Sequence, residues 1–373
     1  MTERAHVNPR VLRWAREASG SPLEKAAKKA GLTAARLEAA ESGESLITMR
    51  QLELLAHFYQ RSTPSFFMPE PPAESPVEAR FRHIPGTPPP PWPEEVRGLI
   101  REMTLRQSTI KEVIETAELA PRWAQRPRLD PDGGAALASK IRHWLDVEVE
   151  SQRGLDPYGS LRLWLDSAEA VGIFVSQSSR VDVNVMRGFA LADEVAPLVL
   201  LNLGDDPRAR AFTLIHETVH LLINSQSRDW QADEELCNAT AASVLMPAES
   251  FRLEYAAAQQ ASSSLLDVVD RVARAFGTTP DATAVRTGRL DLARWEEIRR
   301  VRAAIGLRAP RSGRGGNYYR NVVARFGPAF IDTVFRAVDT GAISALGAAR
   351  ALDGTKIDKF PKLRAELAER AAR

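Results

Sequence analysis

Cysteine, histidine and net charge are all scarce in this chain, and each shortage narrows what it can be. A single cysteine, Cys237, among 373 residues rules out an intrachain disulfide and fits a reducing cytoplasm. Cys237 itself reads as a small buried residue rather than a metal neighbour. Lys and Arg number 50 against 48 Asp and Glu, a formal charge of +2, so bulk charge does not make the chain a polyanion binder. No run of about 18 apolar residues is present to span a membrane. The charged first 20 residues lack the apolar core of a signal peptide. A cytoplasmic protein away from the membrane is expected, and its length suits two or three domains.

Against only six histidines, the stretch His216-Glu217-Thr218-Val219-His220 stands out. Two imidazoles four residues apart on a helix are separated by about 40° around its axis, so both point at one spot. That spot can hold a zinc ion, with Glu217 placed to take a proton from the water on the metal. Such a site needs a third protein ligand. Arg210 to Ile223 reads as an apolar helix carrying the motif, with Asp205, Asp206 and Pro207 as start signals. Asn224 to Arg228 is a polar break, and a second helix runs from about Gln231 to Met246, stopping at Pro247. A hairpin of these two helices could return Glu234 to the metal, with Asp233 and Glu235 as rivals. The stripe Glu234, Asn238, Ala241 and Leu245 favours Glu234. A carboxylate that merely stabilises the helix N-terminus is the plain alternative.

Phe212 to Leu222 and Glu234 to Pro247 resemble the two signatures of the ImmA/IrrE family of bacterial metallopeptidases. Arg187-Gly188-Phe189 and Pro197 to Asn202 are similar to the same family's run-up. The resemblance implies His216, His220 and Glu234 as zinc ligands and Glu217 as the general base. Val219 departs from it, since the family usually has Gly before the second His, and the expected effect is on packing rather than on metal binding.

The N-terminus carries a second pattern. Asn8 to Ala18 has helical periodicity through Val11, Leu12 and Ala15, and Ser21-Pro22-Leu23-Glu24 reads as a capping box with Pro at the first helical position. Ala30-Gly31-Leu32 is a turn, Thr33 caps a third helix through Ala40, and Glu41-Ser42-Gly43-Glu44 breaks the chain. Thr48-Met49-Arg50-Gln51 is another capping box, opening a helix to about Tyr59. Short helices around a Gly-bearing turn make a helix-turn-helix, and their order over roughly residues 8 to 68 resembles the XRE (Cro/repressor-like) family. Residues 1–62 hold ten Lys and Arg against seven Glu, a balance that allows a local basic patch only. Thr33 and Arg36 are the base-reading candidates on the recognition helix, and Lys25, Lys28 and Lys29 the phosphate contacts. The alternative is a small helical interaction module without DNA binding.

Residues 64–93 contain 11 prolines, which favours an extended, semi-rigid spacer. Val171 to Val175, Val183 to Leu191 and Leu198 to Leu201 are apolar runs of strand length, expected to form a small, mostly antiparallel sheet packed on the zinc helix. The fold class is therefore α+β and multi-domain. A helix-turn-helix domain at 1–68, a linker at 69–93, a zincin-like peptidase domain at 94–300 and a helical C-terminal region at 301–373 are expected. Arg311 to Gly316 reads as a linker before the last region.

Two functions suit these features. One is a DNA-binding regulator whose zinc endopeptidase cuts a regulatory protein. It would act on an inverted-repeat operator as a homodimer, with a repressor-like protein or the product of a neighbouring gene as substrate. The other is a non-proteolytic autorepressor or antitoxin that uses the zincin fold to recognise a partner. The intact Glu217 favours the first, because a purely structural fold would not need it.

Overall fold

The structure, a computed structural model, describes residues 4–59, 61, 63–72, 93–127, 129, 135–223, 230–306 and 318–371. Most of the Pro-rich spacer, the polar break after Ile223 and the Arg311–Gly316 linker lie outside the described residues. The chain divides into two compact units: described residues within 1–82 and 88–105 form the first, and those within 106–373 form the second.

The first unit is a short two-stranded pairing, β1 (Arg4–Ala5) against β2 (Ile47–Thr48), with helices α1 (Pro9–Ser19), α2 (Leu23–Lys29), α3 (Ala34–Glu41) and α4 (Met49–Tyr59). Local chemistry sets most of these boundaries. The Asn8 side chain accepts the Arg10 amide at 3.0 Å with Pro9 in the first turn, and α1 ends on Gly20 at φ +69°, a left-handed conformation natural to glycine. Thr33 Oγ1 caps α3 by accepting the Arg36 amide at 3.2 Å. Thr48 and Gln51 cap α4 reciprocally, at 2.9 and 3.2 Å, as a capping box should.

The expected box at Ser21 does not form. Pro22 occupies the N-cap position of α2 without a side-chain cap. The buried Ser21 hydroxyl faces away from the turn and donates to Glu94 Oε1 at 2.8 Å. Val11, Leu12, Ala15, Leu37, Leu52, Leu55 and Phe66 fill the core. Beside it, Arg16 of α1 makes a bidentate pair with Glu41 at the end of α3, at 2.8 and 2.9 Å. Residues 94–105 of α5 (Glu94–Thr116) also belong to this unit, where Arg101 donates to the Ala18 carbonyl at 2.7 Å.

In the second unit, α6 (Ala135–Trp144), α7 (Val149–Gln152) and α8 (Pro157–Ala170) precede strands β3 (Phe174–Ser178), β4 (Gly188–Leu191) and β5 (Leu198–Asn202). Helices α9 (Pro207–Ile223) and α10 (Trp230–Leu245) follow. The sheet order is β3-β5-β4, with β4 antiparallel and β3 parallel to β5. It is mixed rather than mostly antiparallel: two chain reversals separate β3 from β5, so they run the same way once β5 lies between its neighbours. Every residue of β5 is buried, as its unbroken apolar run requires.

Helices α8 and α10 pack on α9, and β4 and β5 pack on its other side. Gly188 is needed for this close approach, because a Cβ there would stand 2.6 Å from both the Leu200 carbonyl oxygen and Thr213 Cγ2. Asn202 pins the preceding loop, donating to the Val181 and Met186 carbonyls at 2.8 and 2.7 Å.

The remaining helices are α11 (Ala248–Ala261), α12 (Leu265–Phe276), α13 (Pro280–Arg289), α14 (Trp295–Gly306), α15 (Tyr318–Phe326), α16 (Pro328–Asp339), α17 (Ala345–Ala351) and α18 (Phe360–Ala371). Helices α15 and α16 pack on β3 within the second unit. Arg106, buried and stacked on Phe326, donates to Ser176 Oγ at 3.0 Å and to the Arg325 carbonyl at 2.7 Å, which ties this helical region to the sheet. Tyr318 and Tyr319 pack edge-to-face on each other.

Glu41 is almost fully buried while Arg16 is partly exposed, so truncating the carboxylate strands a cation against an apolar core. Glu41→Ala should lower the opening free energy of α1 and α3 amides by about 3 kcal/mol, read by native-state hydrogen exchange on the full chain. Protection of α9 should be unchanged; unaltered exchange in α1 and α3 would contradict the assigned role.

Candidate metal centre

Helix α9 is sealed on nearly all sides, with only Phe212 and His220 of its residues from Arg210 onward partly exposed. Asp206 sets its start by accepting the Arg208 amide at 2.8 Å, with Pro207 as first residue, so the motif falls in regular helix. His216 and His220 then lie one turn apart with ring centroids 4.7 Å from each other. Val219 between them is fully buried in the main core, where a glycine would leave a hole.

Glu234 reaches the two rings from α10. His216 Nε2 and His220 Nε2 are 3.0 Å apart, and they lie 3.4 and 3.1 Å from the two Glu234 oxygens. Donors on a tetrahedral ion with bonds of 2.0–2.1 Å would stand about 3.3 Å from one another. The donor set is two imidazole nitrogens and a carboxylate, with the His216, His220 and Glu234 side chains only 3, 9 and 12 % exposed. Spacing and chemistry both fit a metal of the zinc type. Of the rival carboxylates, Glu235 is exposed and Asp233 is buried but outside this cluster. Cys237 is fully buried one turn after Glu234. Burial, and then the charges of Glu234 and Glu217, push its thiol pKa up, and Cys237 is not among the side chains that converge on the cluster.

The electrostatics of the cluster are strongly coupled. Burial pushes the Glu234 carboxyl up, but hydrogen bonds from His216 and His220 outweigh it and bring the pKa to about 2. Burial lowers the His220 pKa, and the hydrogen bond to Glu234 with the nearby Glu217 charge reverses this, leaving it raised. Glu217 is held up by burial despite both imidazoles. One of its oxygens accepts the Ala190 amide of β4, and Oε1 has no protein partner among the described residues. A buried carboxyl with an unpartnered oxygen beside two imidazoles and a second carboxyl is suited to proton transfer. Neither His216 Nδ1 nor His220 Nδ1 has a protein acceptor among the described residues; packing holds the rings in place.

The position of Glu234 depends on contacts that sequence reasoning missed. The last carbonyls of α10 and its exit receive buried side-chain donors from three other helices. Arg142 reaches Val244 O at 2.6 Å, Gln152 reaches Leu245 O at 2.8 Å, and Arg286 reaches Met246 O at 3.2 Å. Burial holds the Arg142 and Arg286 pKa values down to about 10, yet both remain cations facing the negative end of a helix. No motif spacing flags these residues; the only signal is that Arg142 and Gln152 interrupt otherwise apolar helix faces.

The other named residues lie in the first unit. Arg36, Thr33, Lys28 and Lys29 are exposed on α2 and α3. Lys25 is engaged, paired with Glu94 at 2.8 Å. Thr33 already spends its hydroxyl oxygen as the α3 cap, and Lys29 stands over the Phe58 ring at 5.9 Å.

Residues 12–66 match the model of a helix-turn-helix family, and residues 168–287 match that of the IrrE N-terminal-like domain, a peptidase family. The second match contains His216, Glu217, His220 and Glu234, and the first contains the exposed cations of α2 and α3. No curated protein matches the chain. No helix among the described residues is long and apolar enough to cross a membrane. The chain is a fusion of an XRE-type helix-turn-helix with an IrrE/ImmA-like, metallopeptidase-type domain.

Proposed function

We propose that this chain is a DNA-binding transcriptional regulator whose zinc-dependent endopeptidase domain hydrolyses a repressor-like regulatory protein. The observation that carries the reading is the buried His216, His220 and Glu234 triad with the Glu217 carboxyl beside it. Zinc bound by those three side chains would supply Lewis acidity toward water and the scissile carbonyl. Glu217 accepts the proton of the attacking water and delivers it to the departing amine. The Ala190 amide orients that carboxyl. Strand β4 is the sheet edge on this side, so an extended substrate segment can align along it by strand addition.

In the DNA-binding role, α3 enters the major groove of an inverted-repeat operator, with Arg36 and Thr33 toward the bases and Lys28 and Lys29 toward phosphates. A homodimer places two such helices about one DNA turn apart. Lys25 contributes less, because Glu94 already neutralises it.

Elemental analysis of the purified chain should give one zinc, and His220→Ala and Glu234→Ala should each lose most of it. Unchanged zinc in both variants would move the site to Asp233 or Glu235.

In footprinting across the upstream region, Arg36→Ala should relax sequence preference. Lys28→Ala should weaken binding evenly and reduce the salt slope by about 1, with Lys25→Ala changing less. Absence of any sequence preference in the wild type would remove the regulator role.

Glu217→Gln should keep both zinc and DNA binding while cleavage falls by on the order of 10²-fold or more. The substrates to assay are the protein's own 69–93 segment and the product of the adjacent gene. A wild type that cuts neither, and represses no differently from the Gln variant, would favour a non-proteolytic autorepressor or antitoxin.

A further inference from the structure

A pocket of about 200 Å³ lies between α8, α15 and α18, lined by Arg162, Arg320, Val323, Ala324, Glu366 and Arg370. It belongs entirely to the second unit. Its three guanidiniums are met by the Glu366 carboxylate of the lining and by the neighbouring Asp166, which leaves one positive charge in excess. Arg320 is paired with Glu366 at 3.3 Å, and Arg370 with the half-exposed Asp166 at 2.6 Å. Arg162 is half-buried and has no ion-pair or hydrogen-bond partner among the described residues.

With Arg320 and Arg370 already paired, the excess charge of the pocket lies on Arg162, and a guanidinium half out of water gains Coulomb energy from an anion placed beside it. The rigid fork of arginine matches tetrahedral oxyanions in two-point contact, and forks from three helices can share the several oxygens of a phosphate, where a carboxylate offers only two. The side chains of Val323 and Ala324 give one short apolar wall, so a small group attached to the anion can be accommodated. We propose that this pocket binds a small phosphate-bearing molecule, with Arg162 as its principal contact and Arg320 and Arg370 completing the cradle.

The location gives binding a consequence. Helix α8, which carries Arg162, packs directly on α9, the helix that bears His216 and His220. Arg320 and Arg370 sit on the C-terminal helices. An anion held by all three fastens those helices to the body that supports the metal cluster. The site is thus an effector site whose existence does not depend on peptidase activity.

The test is calorimetric titration of the full chain with inorganic phosphate, at ionic strength matched with chloride, with acetate as the monovalent comparison. Saturable phosphate binding, weakened at least about tenfold by Arg162→Gln and unchanged by Arg299→Gln on the remote surface of α14, is the expected result. Arg162 supports no described contact, so its variant should melt at the wild-type temperature. Arg320→Gln should also weaken binding. In the wild type, saturating phosphate should raise the melting temperature by about 2 °C or more. No saturable binding in the wild type, undiminished binding in Arg162→Gln, or acetate binding as tightly as phosphate would each overturn the proposal.

Discussion

The candidate metal site depends on how α10 is held. His216 and His220 share one helix, so their convergence follows from helical geometry alone. Glu234 comes from another helix, and a shift of α10 along its axis by a single residue would move the carboxylate by about 1.5 Å. The buried donors Arg142, Gln152 and Arg286 fix that axis at its far end by saturating the carbonyls of Val244, Leu245 and Met246. Losing one of them would strand a buried polar group as well as loosen the helix. The three donors come from α6, α7 and α13, so much of the second unit converges on the placement of one carboxylate.

The same unit shows how a small sheet supports this arrangement. β5 is buried on both faces, α9 lies against it, and Gly188 lets β4 and α9 approach closely. The Ala190 amide then reaches Glu217 from the strand edge. The edge strand β4 therefore orients the base, while Cys237 and Val219 near the cluster are buried in the apolar core. Burial raises the Glu217 pKa and the imidazoles lower that of Glu234, so two carboxyls a few residues apart in space are given different proton affinities.

Much of this was legible because it obeys local rules. The i, i+4 histidines, the stripe that selects Glu234 over Asp233 and Glu235, the Thr33 cap and the Thr48–Gln51 box each depend on residues within one or two turns. What could not be read depended on distant partners. Ser21 has the spacing of a capping residue, but Glu94, 73 residues away, takes its hydroxyl. Lys25 looks like a free phosphate contact until the same carboxylate neutralises it. The parallel pairing of β3 with β5 is a matter of strand order, which alternating hydrophobicity does not encode. Arg106 and Arg142 look like ordinary charged positions on amphipathic helices, and only the fold reveals them as buried donors.

The proposed peptidase chemistry stands on zinc being held jointly by His216, His220 and Glu234. The most direct measurement is zinc-edge X-ray absorption of the metal-loaded full chain. Only nitrogen and oxygen neighbours at about 2.0–2.2 Å, with multiple scattering from two imidazoles that falls to one in His220→Ala, is the predicted result. A sulfur neighbour at about 2.3 Å, which only Cys237 or a methionine could supply, or an imidazole signal unchanged by His220→Ala, would contradict it.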